Sequence, residues 1–161
     1  MPVSLSISEI LNIAIGIERS GIAFYDIMSR SVEDTRVREI FEYLVIMERE
    51  HIRIFQGMLS EADERQPSEI ESAEQPAYLK SLVDNAVFTD DMIASEAAKQ
   101  TDSDIKALEL AISAEKDSIL FYYEMKEIVP PPAHPTLNRI IAEEKMHLRR
   151  LSELKEKMTA A

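Results

Sequence analysis

The sequence contains no cysteine, no tryptophan and only 3 glycines, and nowhere does it hold an apolar run long enough to span a bilayer. Without cysteine there is no disulfide, no iron–sulfur cluster and no thiolate zinc site, so carboxylate and imidazole are the strong metal ligands on offer. Scarce glycine beside abundant Ile, Leu, Glu, Ala, Met and Lys favours helix over sheet. Basic residues are short as well, 18 against 30 acidic, and the resulting net charge of −12 repels a nucleic-acid duplex or an anionic membrane. The opening Met1-Pro2-Val3-Ser4-Leu5-Ser6 has no basic segment, and Glu9 and Glu18 interrupt the apolar stretch after it, so no secretory leader is expected. The expectation is a cytoplasmic protein with no nucleic-acid and no membrane partner. At 161 residues, 45% of them hydrophobic, the chain suits one domain with a sizeable core.

What the chain does contain is organised around Glu48-Arg49-Glu50-His51 and its echo, Glu144-Lys145-Met146-His147. On a helix, residues i and i+3 project from one face, so each set offers a carboxylate and an imidazole to one point. Each set is preceded, at a near-equal separation, by a helical stretch with a single Glu in its apolar stripe: Glu18 in one case, Glu115 in the other. A lone Glu-x-x-His on an acidic helix is commonly a surface pair. Here six ligand-type residues fall on the apolar stripes of four segments, and no Lys or Arg shares those stripes to neutralise them. Four glutamates and two histidines in this order are the ligand set of a carboxylate-bridged dimetal site in a four-helix bundle.

In chain order, a first helix is expected over about Ser8–Ser29, opened by a Ser6/Glu9 capping box, with Leu11, Ala14, Glu18, Ile22, Tyr25 and Met28 inward. A second covers about Glu33–Ala62, with Phe41, Leu44, Glu48, His51, Phe55 and Leu59 in its stripe. From Arg65 to Thr101 the periodicity breaks at Gln66-Pro67 and Gln75-Pro76, leaving a connection with short helical pieces at Ala77–Asn85 and Asp91–Lys99. A connection of that length has a topological use: it crosses the bundle and leaves the second and third helices parallel. The third helix, about Ser103–Ile128, carries Leu108, Ala111, Glu115, Ile119, Tyr122 and Met125 inward. Val129-Pro130-Pro131-Pro132-Ala133-His134-Pro135 ends it. The fourth runs from about Pro135 to Met158 with Leu137, Ile140, Glu144, His147, Leu151 and Leu154 inward. The fold expected is an all-α bundle of helix pairs 8–62 and 103–158 with one long crossover, 65–101, in a single domain 1–161.

The two halves match. Ala14-Ile15-Gly16-Ile17-Glu18 aligns with Ala111-Ile112-Ser113-Ala114-Glu115, and Phe24-Tyr25 with Phe121-Tyr122. Internal duplication predicts a pseudo-two-fold site with one ligand set from each half. Two divalent ions balance four carboxylates, so such a site leaves little net charge in a low-dielectric core. By symmetry Glu48 and Glu144 are expected to bridge, with Glu18 and Glu115 terminal. Tyr25 and Tyr122, two helical turns beyond the single glutamates, are either core packing or hydroxyls that support a metal-bound carboxylate or take part in redox chemistry. The methionines read as core filler and His134 as structural.

With these residues in view, the whole chain resembles the ferritin-like superfamily and, within it, the rubrerythrin-related group. The resemblance implies two iron ions per chain, with manganese or zinc as other occupants, reacting with peroxide or dioxygen. It departs from rubrerythrins in two respects. The rubredoxin-like domain with its four cysteines is absent, so electrons would come from a separate donor protein. Ser118 also stands where rubrerythrins carry a further Glu, three residues after the third-helix ligand, associated with ligand switching. The functions that follow are peroxide or dioxygen reduction, ferroxidase and iron storage in a ferritin-type assembly, or a metal-stabilised binding protein without turnover. A small homo-oligomer is expected, because a small bundle often covers apolar surface against a twin.

Overall fold

In the computed structural model, residues 6–63, 74–84, 98–99 and 101–160 are described. Among them the secondary structure is helical: α1 (Ile7–Ser31), α2 (Thr35–Asp63), α3 (Glu74–Asp84), α4 (Asp104–Ile128), a 3₁₀ turn (Pro131–Ala133) and α5 (His134–Thr159). α1, α2, α4 and α5 are the four bundle helices. None of the described helices is long and apolar enough to cross a membrane.

The helix ends are set by local chemistry. Ser6 Oγ accepts the Glu9 N–H at 3.2 Å while the Ser6 N–H donates to Glu9 at 2.6 Å, a reciprocal capping box that starts α1. Arg38 donates from its guanidinium to the Ser29 and Val32 carbonyls, satisfying acceptors that the end of α1 leaves open. Ser103 Oγ accepts the Lys106 N–H at 3.1 Å and caps α4. The expected bundle-helix limits lie within two residues of those observed. α3, however, begins at Glu74 rather than Ala77, because a proline in the first turn has no N–H to lose there. Of the second expected crossover piece, Ala98 and Lys99 are helical and the rest lies outside the described residues.

Two apolar clusters fill the bundle. One joins Phe24, Tyr25 and Met28 of α1, Val37, Phe41 and Leu44 of α2, Leu108 and Ala111 of α4, and Leu151 and Leu154 of α5. The other joins Ile10, Leu11 and Ala14 of α1, Phe55 of α2, Phe121, Tyr122 and Met125 of α4, and Leu137, Ile140 and Ile141 of α5. Each helix therefore contributes one half to each cluster, and the order fixes direction: α1 runs antiparallel to α2, and α4 to α5. α2 and α4 are parallel, as one long crossover requires. Leu79 anchors α3 in the second cluster, against α4. The ligand-type residues lie between the clusters, near the middle of all four bundle helices.

Candidate metal centre

Glu18 of α1, Glu48 and His51 of α2, Glu115 of α4, and Glu144 and His147 of α5 are all buried, none above 3% exposed. Their helical positions are those of core residues, so the apolar stripes that bury Phe41, Phe55, Leu137 and Leu151 carry these six inward with them. They form two overlapping groups. Glu18, Glu48, His51 and Glu144 offer ligand atoms within 4.8 Å of one another, as do Glu48, Glu115, Glu144 and His147. Glu48 and Glu144 belong to both. His51 Nδ1 lies 2.8 Å from Glu144, 3.1 Å from Glu48 and 3.4 Å from Glu18. His147 Nδ1 lies 3.5 Å from Glu48, 3.7 Å from Glu115 and 3.9 Å from Glu144.

Many of these close approaches are not hydrogen bonds. Glu115 Oε2, Glu144 Oε1 and both ring nitrogens of His147 are buried with no hydrogen-bond partner among the described residues. Buried polar atoms are nearly always paired, and leaving one unpaired costs about 1–3 kcal/mol. Several ligand-type atoms that converge on one another without hydrogen-bond partners are the arrangement a cation completes. The residues therefore fit a metal site by their own geometry.

The charges tell the same story. Burial, together with the neighbouring carboxylates of Glu48 and Glu144, pushes the Glu18 carboxyl well above the usual range. Burial and the Glu144 charge do the same to Glu115. For Glu48 burial opposes ionisation, but the neighbouring Glu18, His147 and His51 outweigh it and hold its pKa down. Glu144 is likewise lowered, by Glu115 and the two histidines, against burial and the Glu48 charge. Burial disfavours the His147 imidazolium, yet Glu115, Glu144 and Glu48 push its pKa up to about 12. His51 is raised by Glu144, Glu18 and Glu48, also against burial. Without a cation the site thus keeps protons on Glu18, Glu115 and both rings, which is four protons standing where positive charge belongs.

The tyrosines cross between halves. Tyr25 of α1 donates to Glu115 of α4 at 2.6 Å, and Tyr122 of α4 donates to Glu18 of α1. Neither reaches the glutamate of its own helix, which lies two turns, about 11 Å, along the axis. Burial and the adjacent carboxylates raise both phenol pKa values, so both hydroxyls keep their protons and donate.

One polar partner is not legible in the apolar stripes. His51 Nε2 lies 2.8 Å from Glu143 Oε2, and Arg139 approaches the other oxygen of Glu143 at 3.7 Å. Glu143 is part-exposed and sits off the stripe, so periodicity gives no reason to single it out; only the need of a metal-binding imidazole for an outer partner points that way. His134 bonds the Val129 carbonyl at 3.2 Å, a structural contact at the start of α5.

Beside the carboxylates is a cavity of about 30 Å³, bounded by Glu18, Tyr25, Glu48, Glu115 and Ser118 and covered by Leu82 and Val83 of α3. Gly21 and Ser118 occupy matching positions in the two halves, and their small side chains leave this space open.

A family model described as rubrerythrin matches residues 9–155. A crystal structure of a candidate ferritin-like diiron-carboxylate protein from Thermotoga maritima is similar, with 32% sequence identity and a TM-score of 0.72, over 96% of this chain and 97% of that one. No curated protein matches the chain.

Proposed function

This chain belongs to the rubrerythrin family, and from that premise we propose that it is a non-haem di-iron protein that reduces hydrogen peroxide or dioxygen with electrons from a separate donor. The observation that carries the reading is the pair of overlapping donor groups sharing Glu48 and Glu144, set against a cavity of about 30 Å³. Each group would hold one ion: Glu18 and His51 on one side, Glu115 and His147 on the other, with Glu48 and Glu144 common to both. Bound there, two ferrous ions supply the two electrons that, with two protons, convert one hydrogen peroxide to two waters.

The chain's own residues do the rest. The cavity has room for one or two water-sized molecules, which suits peroxide or dioxygen and excludes larger oxidants. Tyr25 and Tyr122 orient the terminal carboxylates from the opposite half and hold protons on their hydroxyl oxygens beside the centre. Ser118, buried at the cavity wall, presents a hydroxyl of either donor or acceptor sense to a small polar guest. The ligand set is rich in oxygen and imidazole, which suits iron and, next, manganese. With no cysteine in the chain, re-reduction relies on a partner protein that brings its own redox centre. A small homo-oligomer completes the proposal.

The test begins with elemental analysis of iron-supplemented protein, for which about two irons per chain are expected. The anaerobic ferrous protein is then titrated with peroxide, and its oxidation should end at one peroxide per two irons. A ferrous protein that ignored both peroxide and dioxygen would leave a metal-stabilised binding protein as the surviving reading. A native mass matching a ferritin-sized cage would move the assignment to ferroxidase.

A further inference from the structure

The two halves match at their metal-facing residues but not behind them. Glu143, immediately before Glu144, takes the outer nitrogen of His51 at 2.8 Å and is itself approached by Arg139. The residues in the corresponding places of the other half are Met47, immediately before Glu48, and Tyr43. Met47 offers no carboxylate to His147, whose Nε2 is buried and has no hydrogen-bond partner among the described residues. What His147 meets instead is the ring of Tyr43, edge to face at 5.9 Å, and the Arg150 guanidinium lies over that ring, 5.0 Å from its centroid. One imidazole is thus backed by an anion and the other by an aromatic ring with a cation on it.

From this contrast we infer that the two metal positions are unequal, the one at His51 binding its ion more tightly than the one at His147, and that Glu143 is the positioning residue that makes the difference. The inference rests on the dimetal reading above. Its physical basis is direct. Nδ1 of His51 faces the carboxylates, so with an ion bound at Nδ1 the ring proton would sit on Nε2 and be donated to Glu143. That bond fixes the ring and its tautomer and makes Nδ1 a stronger donor, an effect whose loss typically costs a factor of about 10–100 in metal affinity. The His147 ring has no such anchor on its outer nitrogen. The ion at Glu115 and His147 is the exchangeable one, and the ion at Glu18 and His51 is the resident one.

The experiment titrates metal-free protein with Mn²⁺ by calorimetry, with electron paramagnetic resonance at one equivalent. Wild type should bind in two steps, and the first ion should give the signal of an isolated Mn²⁺ rather than of a coupled pair. Glu143→Gln, which keeps size and can still contact the ring but lacks the charge, should weaken the first step about 10–100-fold and leave the second within a small factor. Glu18→Gln and Glu115→Gln locate the steps: the first should lose the tight step, the second only the weak one. Because stepwise binding alone can arise from repulsion between ions, the decisive result is the selective response to Glu143→Gln. Equal weakening of both steps by that variant, or coupled pairs already at one equivalent in wild type, would overturn the inequality while leaving the dimetal site standing. No Mn²⁺ and no iron bound by wild type would overturn both.

Discussion

Glu18 and Glu48 are both buried glutamates within one cluster, yet the metal-free protein uses them in opposite ways. Glu18 keeps its proton because burial and the charges of Glu48 and Glu144 oppose its ionisation. Glu48 stays ionised because the Glu18 carboxyl and the two imidazoliums beside it outweigh its burial. A neutral amide of the same size should therefore suit position 18 and injure position 48. Glu18→Gln is expected to melt within a few degrees of wild type in the metal-free state and to lose one metal. Glu48→Gln removes the anion of a buried charged pair, an injury of about 3–5 kcal/mol, so its metal-free midpoint should fall by roughly 6–20 °C and both metals should be lost. Paired melting curves on chelator-treated proteins, with metal analysis, check this; equal midpoints for the two variants would contradict the charge assignment. At this scale the six candidate ligands were legible because a Glu or His among apolar neighbours at helical spacing stands out. The partners of Tyr25 and Tyr122 were not, since each bond joins residues on different halves. Glu143 was hidden for a different reason: on a half-exposed helix flank a glutamate is unremarkable until the ring it serves has been placed.

Helix limits depend on caps, and those with nearby partners could be read from the chain. The Ser6/Glu9 box is local, as is the Ser103 cap. The tie between α1–α2 and α4 is not. Asp104, in the first turn of α4, accepts the backbone N–H groups of Glu33 at 3.2 Å and Asp34 at 2.7 Å, so one carboxylate pins the α1–α2 turn to the second half. Asp also suits the first turn of a helix electrostatically, which is the only role its local sequence suggests. Asp104→Ala should cost about 1–2 kcal/mol, by analogy with the loss of a cap, and lower the melting midpoint by roughly 2–8 °C. Asp104→Asn, which keeps an acceptor, should recover part of that loss. If Asp104→Ala melted like wild type in both metal-free and loaded states, the tie would be ornamental. The parallel arrangement of α2 and α4 followed from the length of the connection between them. The position of α3 against α4 did not, because Leu79 and its neighbours are too few to show a periodic face.

For the whole molecule, the four displaced protons make stability depend on pH with a definite sign. Glu18, Glu115, His51 and His147 bind protons more tightly folded than unfolded, so each favours the folded state fully below its ordinary pKa and loses that contribution as pH rises through the folded value. The losses begin near pH 4.5 for the carboxyls and near 6.5 for the imidazoles. Glu48 and Glu144 act oppositely, contributing above 4.5 and losing it as pH falls. Between about pH 5 and 9 the metal-free protein should become less stable as pH rises, while metal, which competes with those protons, should stabilise more at the alkaline end. Melting curves of stripped and Mn²⁺-loaded protein across that range test both trends, and a metal-free midpoint that climbed with pH would refute the proton inventory.

The roof that α3 places over the small cavity carries a last implication, for what the protein tolerates rather than what it transforms. On the proposed reading, a space of about 30 Å³ beside the centre would favour the smallest oxidants. Hydrogen peroxide should oxidise the ferrous protein readily, and an aryl or alkyl hydroperoxide with the same O–O bond should do so far more slowly. Leu79→Ala, by loosening the anchor of α3 in the second cluster, should narrow that gap in stopped-flow traces.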